Sequence, residues 1–344
     1  MDFTNPNLSS SNGFRMGRVG NMCNIDFSQD VIFIPVLYGI FFTLGVPLNL
    51  LALFGLHRLI KSNNVLPVYL INLLISNLLQ LLMLPLWIDY YRRGHSWLYG
   101  PTACRGMHFI FYVTIYASIM FMCAIAVERH FAIARPMKFQ AMRSLKYTRW
   151  VALGIWMVVA LPPSIALKSL FTTSQNSTLC IEKYPSEEGF ITYRLVTLVL
   201  SFFLPLSFIV ILHRKTLQAL KGVVSLAQRE KRQIRGLLAL LVMVFVVVLG
   251  PYHLVGCVKY VGLLFHSMPC QWEKAVFLPY QVGRVLLSIN SLLDPVFYIF
   301  LRGDFREAVC RYLPCLRRVR WFTSQERSSE QRERPTNSTQ DSDL

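Results

Sequence analysis

Charge is what this sequence has little of. Only 15% of its 344 residues are Asp, Glu, Lys or Arg, whereas 54% are hydrophobic and the mean hydropathy is +0.43. A water-soluble domain usually carries about 25% charged residues. The scarcity of charge therefore excludes an ordinary soluble domain of this length and favours a chain that lies mostly in a lipid bilayer.

The sequence also lacks the residue clusters that several other classes of membrane protein need. Acidic residues number only 18 against 35 basic ones, and the 7 histidines are scattered along the chain. An intramembrane enzyme or a metal centre needs paired acids or histidines at ligand spacing, and a secondary transporter usually shows repeated halves or paired broken helices. We therefore expect neither an enzyme, nor a resident metal, nor a transporter.

Seven apolar windows are long enough to cross a bilayer, which takes about 20 residues of helix. Several of them contain proline, which membrane helices tolerate because neighbouring groups satisfy the freed backbone. The sequence therefore predicts an all-α fold, a bundle of seven transmembrane helices. The windows lie near Val31–Leu56, Val65–Ile88, Met107–Ala134, Tyr147–Leu167, Phe190–Leu212, Gly236–Leu264 and Ala275–Phe300.

Basic residues follow spans one, three and five and recur after span seven, and they account for the net charge of +17. Basic loops face the cytoplasm, so we expect an extracellular N-terminus and a multi-pass protein of the plasma membrane. The charge then reflects topology and attraction to anionic membrane lipids. No nucleic-acid partner is expected.

Composition divides the chain into four parts. Residues 1–30 form a polar extracellular segment without the apolar core of a signal peptide. Residues 31–302 form the transmembrane domain, and 303–315 predict a short amphipathic helix on the membrane surface. Residues 316–344 are poor in apolar side chains, so we expect a disordered cytoplasmic tail with Ser and Thr residues open to phosphorylation.

Four residues are candidates for covalent modification. Asn7 and Asn176 begin Asn-x-Ser/Thr sequons on the predicted outer side, where glycosylation occurs. Cys310 and Cys315 lie in a juxtamembrane segment with aromatic and basic neighbours, which favours palmitoylation. Ordinary interfacial cysteines are the alternative.

Glu128-Arg129-His130 closes span three at its inner end. An acid–arginine pair in a membrane helix is costly unless the charges serve a function. The triplet resembles the Asp/Glu-Arg-Tyr/His motif of rhodopsin-like (class A) G-protein-coupled receptors. Other markers of that family follow in order along most of the chain: Asn49, Trp97, Trp156, Pro205, Pro251 and Asp294-Pro295-Val296-Phe297-Tyr298.

The resemblance implies signalling through a heterotrimeric G protein. Arg129, released from Glu128, would help to open a cavity for the G protein, which Met137 would contact; His130 and Tyr298 complete the coupling motifs. An arrestin is the expected partner of the phosphorylated tail.

The extracellular cysteines predict two disulfide bonds. Cys104 and Cys180 lie outside the membrane, in an oxidising compartment, and the resemblance implies that they pair. Cys23 and Cys270 are also outside the membrane and are candidates for a second disulfide bond. One sequence does not prove this pairing.

The departures from the family pattern are informative. Asn77 stands where span two normally has Asp, and Asp294 stands where span seven normally has Asn. With Ser118, Asn290 and Ser291 they predict a polar pocket for a sodium ion or a proton; a polar core without an ion is the alternative.

Leu249 replaces the tryptophan that normally acts as a switch in span six. This loss keeps open a second reading of the chain, as a non-signalling scavenger or decoy receptor that shares the fold.

The outer third of the bundle is cationic and aromatic. Phe111 stands where amine receptors have an aspartate, so a biogenic amine is not expected. Basic groups in a cleft bind carboxylate or phosphate, which favours an anionic lipid or a nucleotide; a peptide is a further alternative. Snorkelling, or pairing with Asp89, Glu182 or Glu273, is the competing explanation. The candidate ligand residues are Arg105, His108, Tyr112, Arg194, Tyr252, His253, Lys259 and Arg284.

Local segments such as Cys180–Pro185 and Gly250–His253 are similar to the proton-sensing and lysophospholipid-related receptors. Histidine changes charge near physiological pH, so protons are the second candidate ligand. Span four carries valines near Trp156 in place of a carboxylate, which leaves the acidic triad of that group incomplete, and histidines without a pH role are the alternative. The candidate pH sensors are His95, His108, His253 and His266.

Overall fold

The computed structural model describes residues 23–59, 65–135, 137, 144–169, 179–180, 183–224 and 226–301, with side chains except at 58, 59, 229 and 296–301. All regular elements within these residues are helices. A short 3₁₀ turn precedes the first span. The helices run Phe27–Gln29 (the 3₁₀ turn), Phe33–Leu59, Leu66–Leu82, Leu84–Arg92, Gly100–Ala134, Leu145–Ser169, Glu188–Gly222, Gln228–Met243, Val244–Leu249, Gly250–Phe265 and Pro269–Leu301.

Seven of the resulting segments are long and apolar enough to cross a membrane, which confirms the predicted seven-helix bundle. Span two combines two helices, and span six combines three. Several spans extend beyond their apolar windows: span three begins at Gly100 and span five ends at Gly222. Helical hydrogen bonding continues past the hydrocarbon layer, so the hydropathy pattern underestimates helix length. The amphipathic segment 303–315 and all four modification candidates lie outside the described residues.

Proline shapes spans two and six. Span two is interrupted at Met83, two residues before Pro85, and the Met83 N–H bonds the Gln80 carbonyl at 3.2 Å. Span six passes through a π-helical turn, Val244–Leu249, immediately before the helix that contains Pro251. Proline cannot donate a helical hydrogen bond and its ring crowds the preceding turn, so a wider turn is a common accommodation.

Span three is the axis of the bundle. In its most apolar window 72% of the residues are buried, against 28% in spans one and four. The outer spans therefore turn apolar side chains such as Val36 and Met157 (56% and 64% exposed) toward the lipid. Span three is therefore the most enclosed of the seven spans.

Polar side chains join the spans at mid-membrane depth. Asn49 Nδ2 donates to the Gly45 and Ser291 carbonyls at 2.8 and 2.7 Å, which ties span one to span seven. Trp156 Nε1 donates to Asn72 Oδ1 at 2.9 Å, which ties span four to span two. Without water in the bilayer, each such group needs a partner within the protein.

Two disulfide bonds close the outer face. The structure contains both expected pairs, Cys104–Cys180 and Cys23–Cys270, with Cα–Cα distances of 5.7 and 5.2 Å. The second bond brings the N-terminal segment over the bundle, where buried Ile25, Tyr184 and Phe277 pack with Phe27. We call these four packed side chains the outer plug.

Gly262 permits the close packing of span six against Trp272. A Cβ built at Gly262 would lie 2.2 Å from Trp272 Cε2, and the indole Nε1 donates to the Lys259 carbonyl at 3.0 Å. The indole therefore has little freedom to move away.

We expect Gly262→Ala to lower stability by about 1–3 kcal/mol because it overpacks this contact. The measurement is thermal unfolding of the purified protein. Gly154→Ala is the matched control: it has no atom within 4 Å of the added Cβ and should gain up to about 1 kcal/mol of helix propensity. Equal midpoints for the two variants would contradict the packing argument.

Candidate functional site

Three cationic side chains are buried together in the outer half of the bundle. Arg194 of span five, Lys259 of span six and Arg284 of span seven are 1%, 4% and 4% exposed. Burying a charge is costly unless partners compensate it. An ionisable group inside a membrane domain is therefore a functional candidate.

Arg194 is surrounded by tyrosines. Its Nη2 donates to the Tyr252 hydroxyl, and its guanidinium carbon lies 4.5 Å from the centre of the Tyr112 ring and 5.9 Å from that of Tyr260. Its Nε has no hydrogen-bond partner among the described residues. The electron-rich faces of the rings stabilise the cation, yet donor capacity remains available for an anion.

Lys259 is held in the same manner. Its Nζ lies 4.6 Å from the Tyr280 ring centre, 5.2 Å from that of Tyr184 and 5.6 Å from that of Tyr260. In the part of the chain that the structure describes, neither Lys259 nor Arg194 forms an ion pair with a carboxylate. Their compensation is therefore aromatic rather than ionic.

Arg284 packs on aromatic rings of spans two and three. Its guanidinium carbon is 5.2 Å from the Trp87 ring centre and 5.6 Å from that of Phe111. Nη1 donates to Gln281 Oε1 at 3.3 Å, and the same oxygen accepts from the Tyr91 hydroxyl at 3.1 Å. The tyrosine and the amide thus hold Arg284 at the edge of the cluster.

A narrow cleft opens onto two of these cations. Its lining includes Tyr112, Tyr184, Lys259, Tyr260, Tyr280 and Arg284. Tyr184 and Tyr260 were absent from the sequence prediction. The sequence signal for Tyr184 is its place in the segment Cys180–Pro185, four residues after the bridged Cys180. We call Arg194, Lys259, Arg284 and these tyrosines the cationic site.

Two of the carboxylates proposed as alternative partners are engaged elsewhere. Asp89 Oδ2 accepts from Arg93 Nε at 2.8 Å and from the Tyr99 hydroxyl at 3.0 Å; the hydrogen bond with Asp89 raises the pKa of both Arg93 and Tyr99. Glu273 Oε1 accepts from the Ser186 N–H and hydroxyl at 3.0 and 2.7 Å. The third, Glu182, lies outside the described residues.

Of the remaining predicted ligand residues, one is exposed and two are buried. Arg105 is exposed on span three, whereas Met107 and His108 in the next turn are buried. His108 is buried, with its ring 4.5 Å from that of Tyr112. His253 is also buried: Nδ1 donates to the Leu249 carbonyl at 2.7 Å, and Nε2 lies 3.3 Å from Ser201 Oγ. The neutral imidazole of His253 thus satisfies both ring nitrogens.

The four candidate pH sensors do not form one site. His108 and His253 lie inside the bundle, whereas His266 is exposed at the outer end of span six and stacks on Trp272 at 4.3 Å. His95 is fully buried at the outer rim, with Nε2 3.1 Å from both carboxylate oxygens of Asp30. Phe27 stacks on the His95 ring at 4.2 Å.

The exchanged pair of spans two and seven is in direct contact. Asn77 Nδ2 donates to Asp294 Oδ2 at 2.8 Å, and Asn290 Nδ2 donates to the same oxygen at 3.1 Å. The amide oxygens of both asparagines are buried without a hydrogen-bond partner among the described residues. A carboxylate with two spare amide oxygens nearby is a donor set suited to a hard cation.

The two serines predicted for this pocket bond to other side chains. Ser118 Oγ lies 2.9 Å from Ser76 Oγ, and the Ser291 hydroxyl is 3.4 Å from Gln80 Oε1. Neither serine forms one of the hydrogen bonds to the Asp294 carboxylate described above.

The inner end of span three carries the signalling motif. Arg129 Nε donates to Glu128 Oε2 at 2.6 Å. His130 Nδ1 donates to Thr216 Oγ1 at 3.0 Å, since the threonine hydroxyl itself donates to the Leu212 carbonyl at 2.7 Å. The arginine is thus closed on its own glutamate, and span three is joined to span five.

The other predicted coupling residues are less well defined. Met137 is 83% exposed, as a contact surface for a partner requires. The side chain of Tyr298 lies outside those that the structure describes. Leu249, in the position of the missing tryptophan, is 3% exposed and Phe245 below it is fully buried, so the π-helical turn packs into the core.

Comparison with known proteins agrees with this geometry. Residues 48–298 match the family model described as 7 transmembrane receptor (rhodopsin family). The chain is 30% identical to human G-protein coupled receptor 65 (78% of this chain, 82% of the relative) and 28% identical to human G-protein coupled receptor 68 (86% and 82%). It is also 30% identical to the human uracil nucleotide/cysteinyl leukotriene receptor (81% and 76%).

These matches cover most of the chain, and they agree with the seven spans. The family consists of receptors rather than enzymes, and its members are multi-pass proteins of the plasma membrane. The chain belongs to the rhodopsin family of seven-transmembrane receptors, which signal through G proteins.

Proposed function

We propose that this receptor recognises a small anion, carrying a carboxylate or a phosphate, in the cationic site. The observation that supports the proposal is the burial of Arg194 and Lys259 without an ion pair among the described residues. An anion between them would supply the missing countercharge. Guanidinium groups bind carboxylate and phosphate in bidentate fashion.

The names of relatives agree with an anionic ligand. The uracil nucleotide/cysteinyl leukotriene receptor names two ligand classes, and both carry acidic groups. The cleft between Lys259 and Arg284 is lined mainly by aromatic side chains with a few charged groups, a composition typical of small-molecule sites. Tyrosines around it supply hydroxyl groups that orient a ligand.

The path from the ligand to span six runs through Tyr252. Its hydroxyl accepts from Arg194, and it follows directly after Pro251, next to the π-helical turn. A Cβ at Gly283 would lie 3.0 Å from Tyr252 Cα, so span seven packs closely against this point. An anion that draws Arg194 from Tyr252 favours a second arrangement of span six, by as much as its affinities for the two states differ.

On the inner side, the G protein is the partner of the opened bundle. Release of Arg129 from Glu128 and exposure of Met137 supply contacts for it. An arrestin on the phosphorylated tail and anionic lipids on the basic inner face complete the proposed partners.

Protons are a second candidate ligand, supported by the buried Asp30–His95 contact. This contact joins the N-terminal segment to the loop between spans two and three. An imidazolium facing a carboxylate forms a charge-assisted pair, so acidification strengthens the attachment of the outer plug.

The Asp294 pocket is proposed to hold a sodium ion or a proton. A buried carboxylate is costly unless a cation or a proton neutralises it. The carboxylate and the spare oxygens of Asn77 and Asn290 would hold the ion. A sodium ion or a proton would supply the positive charge that neutralises the Asp294 carboxylate, which the neutral amide groups of Asn77 and Asn290 do not supply.

The anion site is tested by Arg194→Gln and Lys259→Gln in a G-protein activation assay, with a panel of organic phosphates and carboxylates. Losing one charged hydrogen bond costs about 1.5–3 kcal/mol, so we expect the potency of an active anion to fall about 10- to 100-fold. Arg105→Gln removes the same charge from an exposed position and should leave potency unchanged. Equal losses of potency in all three variants would mean that the anion responds to the overall positive charge of the outer face, which would contradict a specific site.

Acid sensing is tested by titrating the outside from about pH 8 to about pH 6 without added ligand. We expect a signal that rises with acidity and that His95→Phe and Asp30→Asn both flatten, because either change removes the pair. His266→Asn, at an exposed histidine, is the control and should retain the response. A flat wild-type curve rules out this second candidate.

The Asp294 pocket is tested by exchanging its two residues. Asp294→Asn should abolish the thermal stabilisation by sodium chloride over choline chloride, because the charge is lost. Asn77→Asp alone sets two carboxylates side by side and should lower stability, whereas the double exchange should restore sodium sensitivity. Sodium sensitivity that survives Asp294→Asn contradicts the site; a response to pH alone assigns the pocket to a proton.

A further inference from the structure

Span six changes its helix type in the middle. Its inner half, Gln228–Met243, and its outer half, Gly250–Phe265, are α-helical, whereas the turn between them, Val244–Leu249, is π-helical. Hydrogen bonds in a π turn join residues five apart instead of four, so the turn holds one residue more than an α turn. Span six therefore carries one residue that a continuous α-helix with the same two faces would not contain.

The local sequence accounts for the wider turn. Five of the seven residues 242–248 are valine, and β-branched side chains crowd the preceding turn of an α-helix. The ring of Pro251 also crowds the carbonyl four residues earlier, that of Val247. Val246 and Val247 are 52% and 59% exposed, so core packing does not hold them. The helix type of this turn is thus set by local contacts.

The outer half of span six is fixed by close packing. A Cβ at Gly256 would lie 2.8 Å from Leu198 Cδ1 of span five. A Cβ at Gly283 of span seven would lie 3.0 Å from Tyr252 Cα. Gly262 adds the third such contact, described above. These approaches leave no space for the outer half to turn about its own axis.

The inner half has no comparable restraint. From Gly236 to Pro251 the sequence contains no polar side chain. Among the residues that the structure describes, no side-chain hydrogen bond joins residues 228–249 to another span. A rotation of the inner half would therefore exchange one apolar face for another and would leave no hydrogen bond unmade. The membrane does not oppose such a rotation.

We propose that the turn Val244–Leu249 converts between the π form and an α form, and that the conversion rotates the inner half of span six. With the outer half fixed, absorbing the surplus residue turns each inner residue by one position, about 100°. Ala239 then takes the place of Leu238, which is now 1% exposed. Val242 takes the place of Leu241, which is now 3% exposed.

The exchange replaces two leucines in the core by smaller side chains. Smaller side chains bury less apolar area and fill the core less well, so the inner end of span six separates from the bundle more easily in the α form. This device does not require the tryptophan that Leu249 replaces. It concerns the transmission of a signal and does not depend on which ligand occupies the cationic site.

A first test favours the α form without touching the core. Val246→Leu combined with Val247→Leu replaces two lipid-facing valines by a better helix former, and we expect ligand-free G-protein activation to rise about two- to fivefold. Val258→Leu combined with Val261→Leu makes the same change at valines of the outer half that are 55% and 40% exposed. This control should leave activation at the wild-type level. An equal response of both pairs contradicts the proposal.

A second test removes the surplus residue. Deletion of Val246 lets an α-helix continue with both halves on their present faces, so the turn has no second form. In a chain that carries Val247→Leu, the deletion should bring G-protein activation to the wild-type level or below. Val246→Ala removes the same side chain but keeps the length, and it should retain the raised activation. A deletion variant that unfolds at the wild-type temperature and signals like Val246→Ala overturns the proposal.

A third test reads the rotation directly and does not require the deletion variant to fold. Ala239→Cys and Leu240→Cys each carry a nitroxide, in a chain whose free cysteines are replaced by alanine and which is held in lipid nanodiscs. Ala239 is now exposed and Leu240 is partly buried. Adding the nucleotide-free G protein that responds most strongly in the first test should lower oxygen collisions at position 239 and raise them at position 240. Collisions that change in the same direction at both positions, or at neither, indicate a movement without rotation and overturn the proposal.

Discussion

Everything in this structure depends on the exclusion of water from the membrane interior. Without water, backbone groups are satisfied only within helices, and each polar side chain must meet another. Asn49 therefore bonds the Ser291 carbonyl, Trp156 bonds Asn72, and Asn77 bonds Asp294. These ties join spans one, two, four and seven to one another. The same constraint makes a buried charge without a countercharge conspicuous.

Arg194 and Lys259 are the charges of that kind. Tyrosine rings and one hydroxyl stabilise them, yet no described carboxylate does. The outer plug and its disulfide bonds lie over this region, and Tyr184 of the plug contacts Lys259. The N-terminal segment is therefore linked to Lys259 through Tyr184, which also contacts Phe27. Tyr252 joins Arg194 to the helix that begins beside the π-helical turn, which is why we propose that an anion acts on span six at this point.

The sequence predicted the fold well and the site in part. Hydropathy and basic loops were sufficient for the seven spans, and the exchange of Asn77 and Asp294 implied their contact. Cations inside apolar spans are conspicuous, and the structure brings the predicted Arg194, Arg284, Lys259, Tyr112 and Tyr252 together; their role in ligand binding stays a prediction. The four histidines lie apart: His95 has a buried carboxylate partner, His266 is exposed, and His108 and His253 lie within the bundle. Their role as pH sensors also stays a prediction. Composition gives the depth of a residue in the membrane but not the side of the helix on which it lies.

The sequence by itself determined the number, order and orientation of the spans, the signalling motif and the excess of cations at the outer end, because these follow from hydropathy and charge along one dimension. The tertiary structure decided which residues meet. It placed Tyr184 and Tyr260 on Lys259, left Arg105 exposed, and paired Asp30 with His95. Those contacts depend on helix rotation and on proline-induced irregularities in spans two and six, which arise from packing among all seven helices at once.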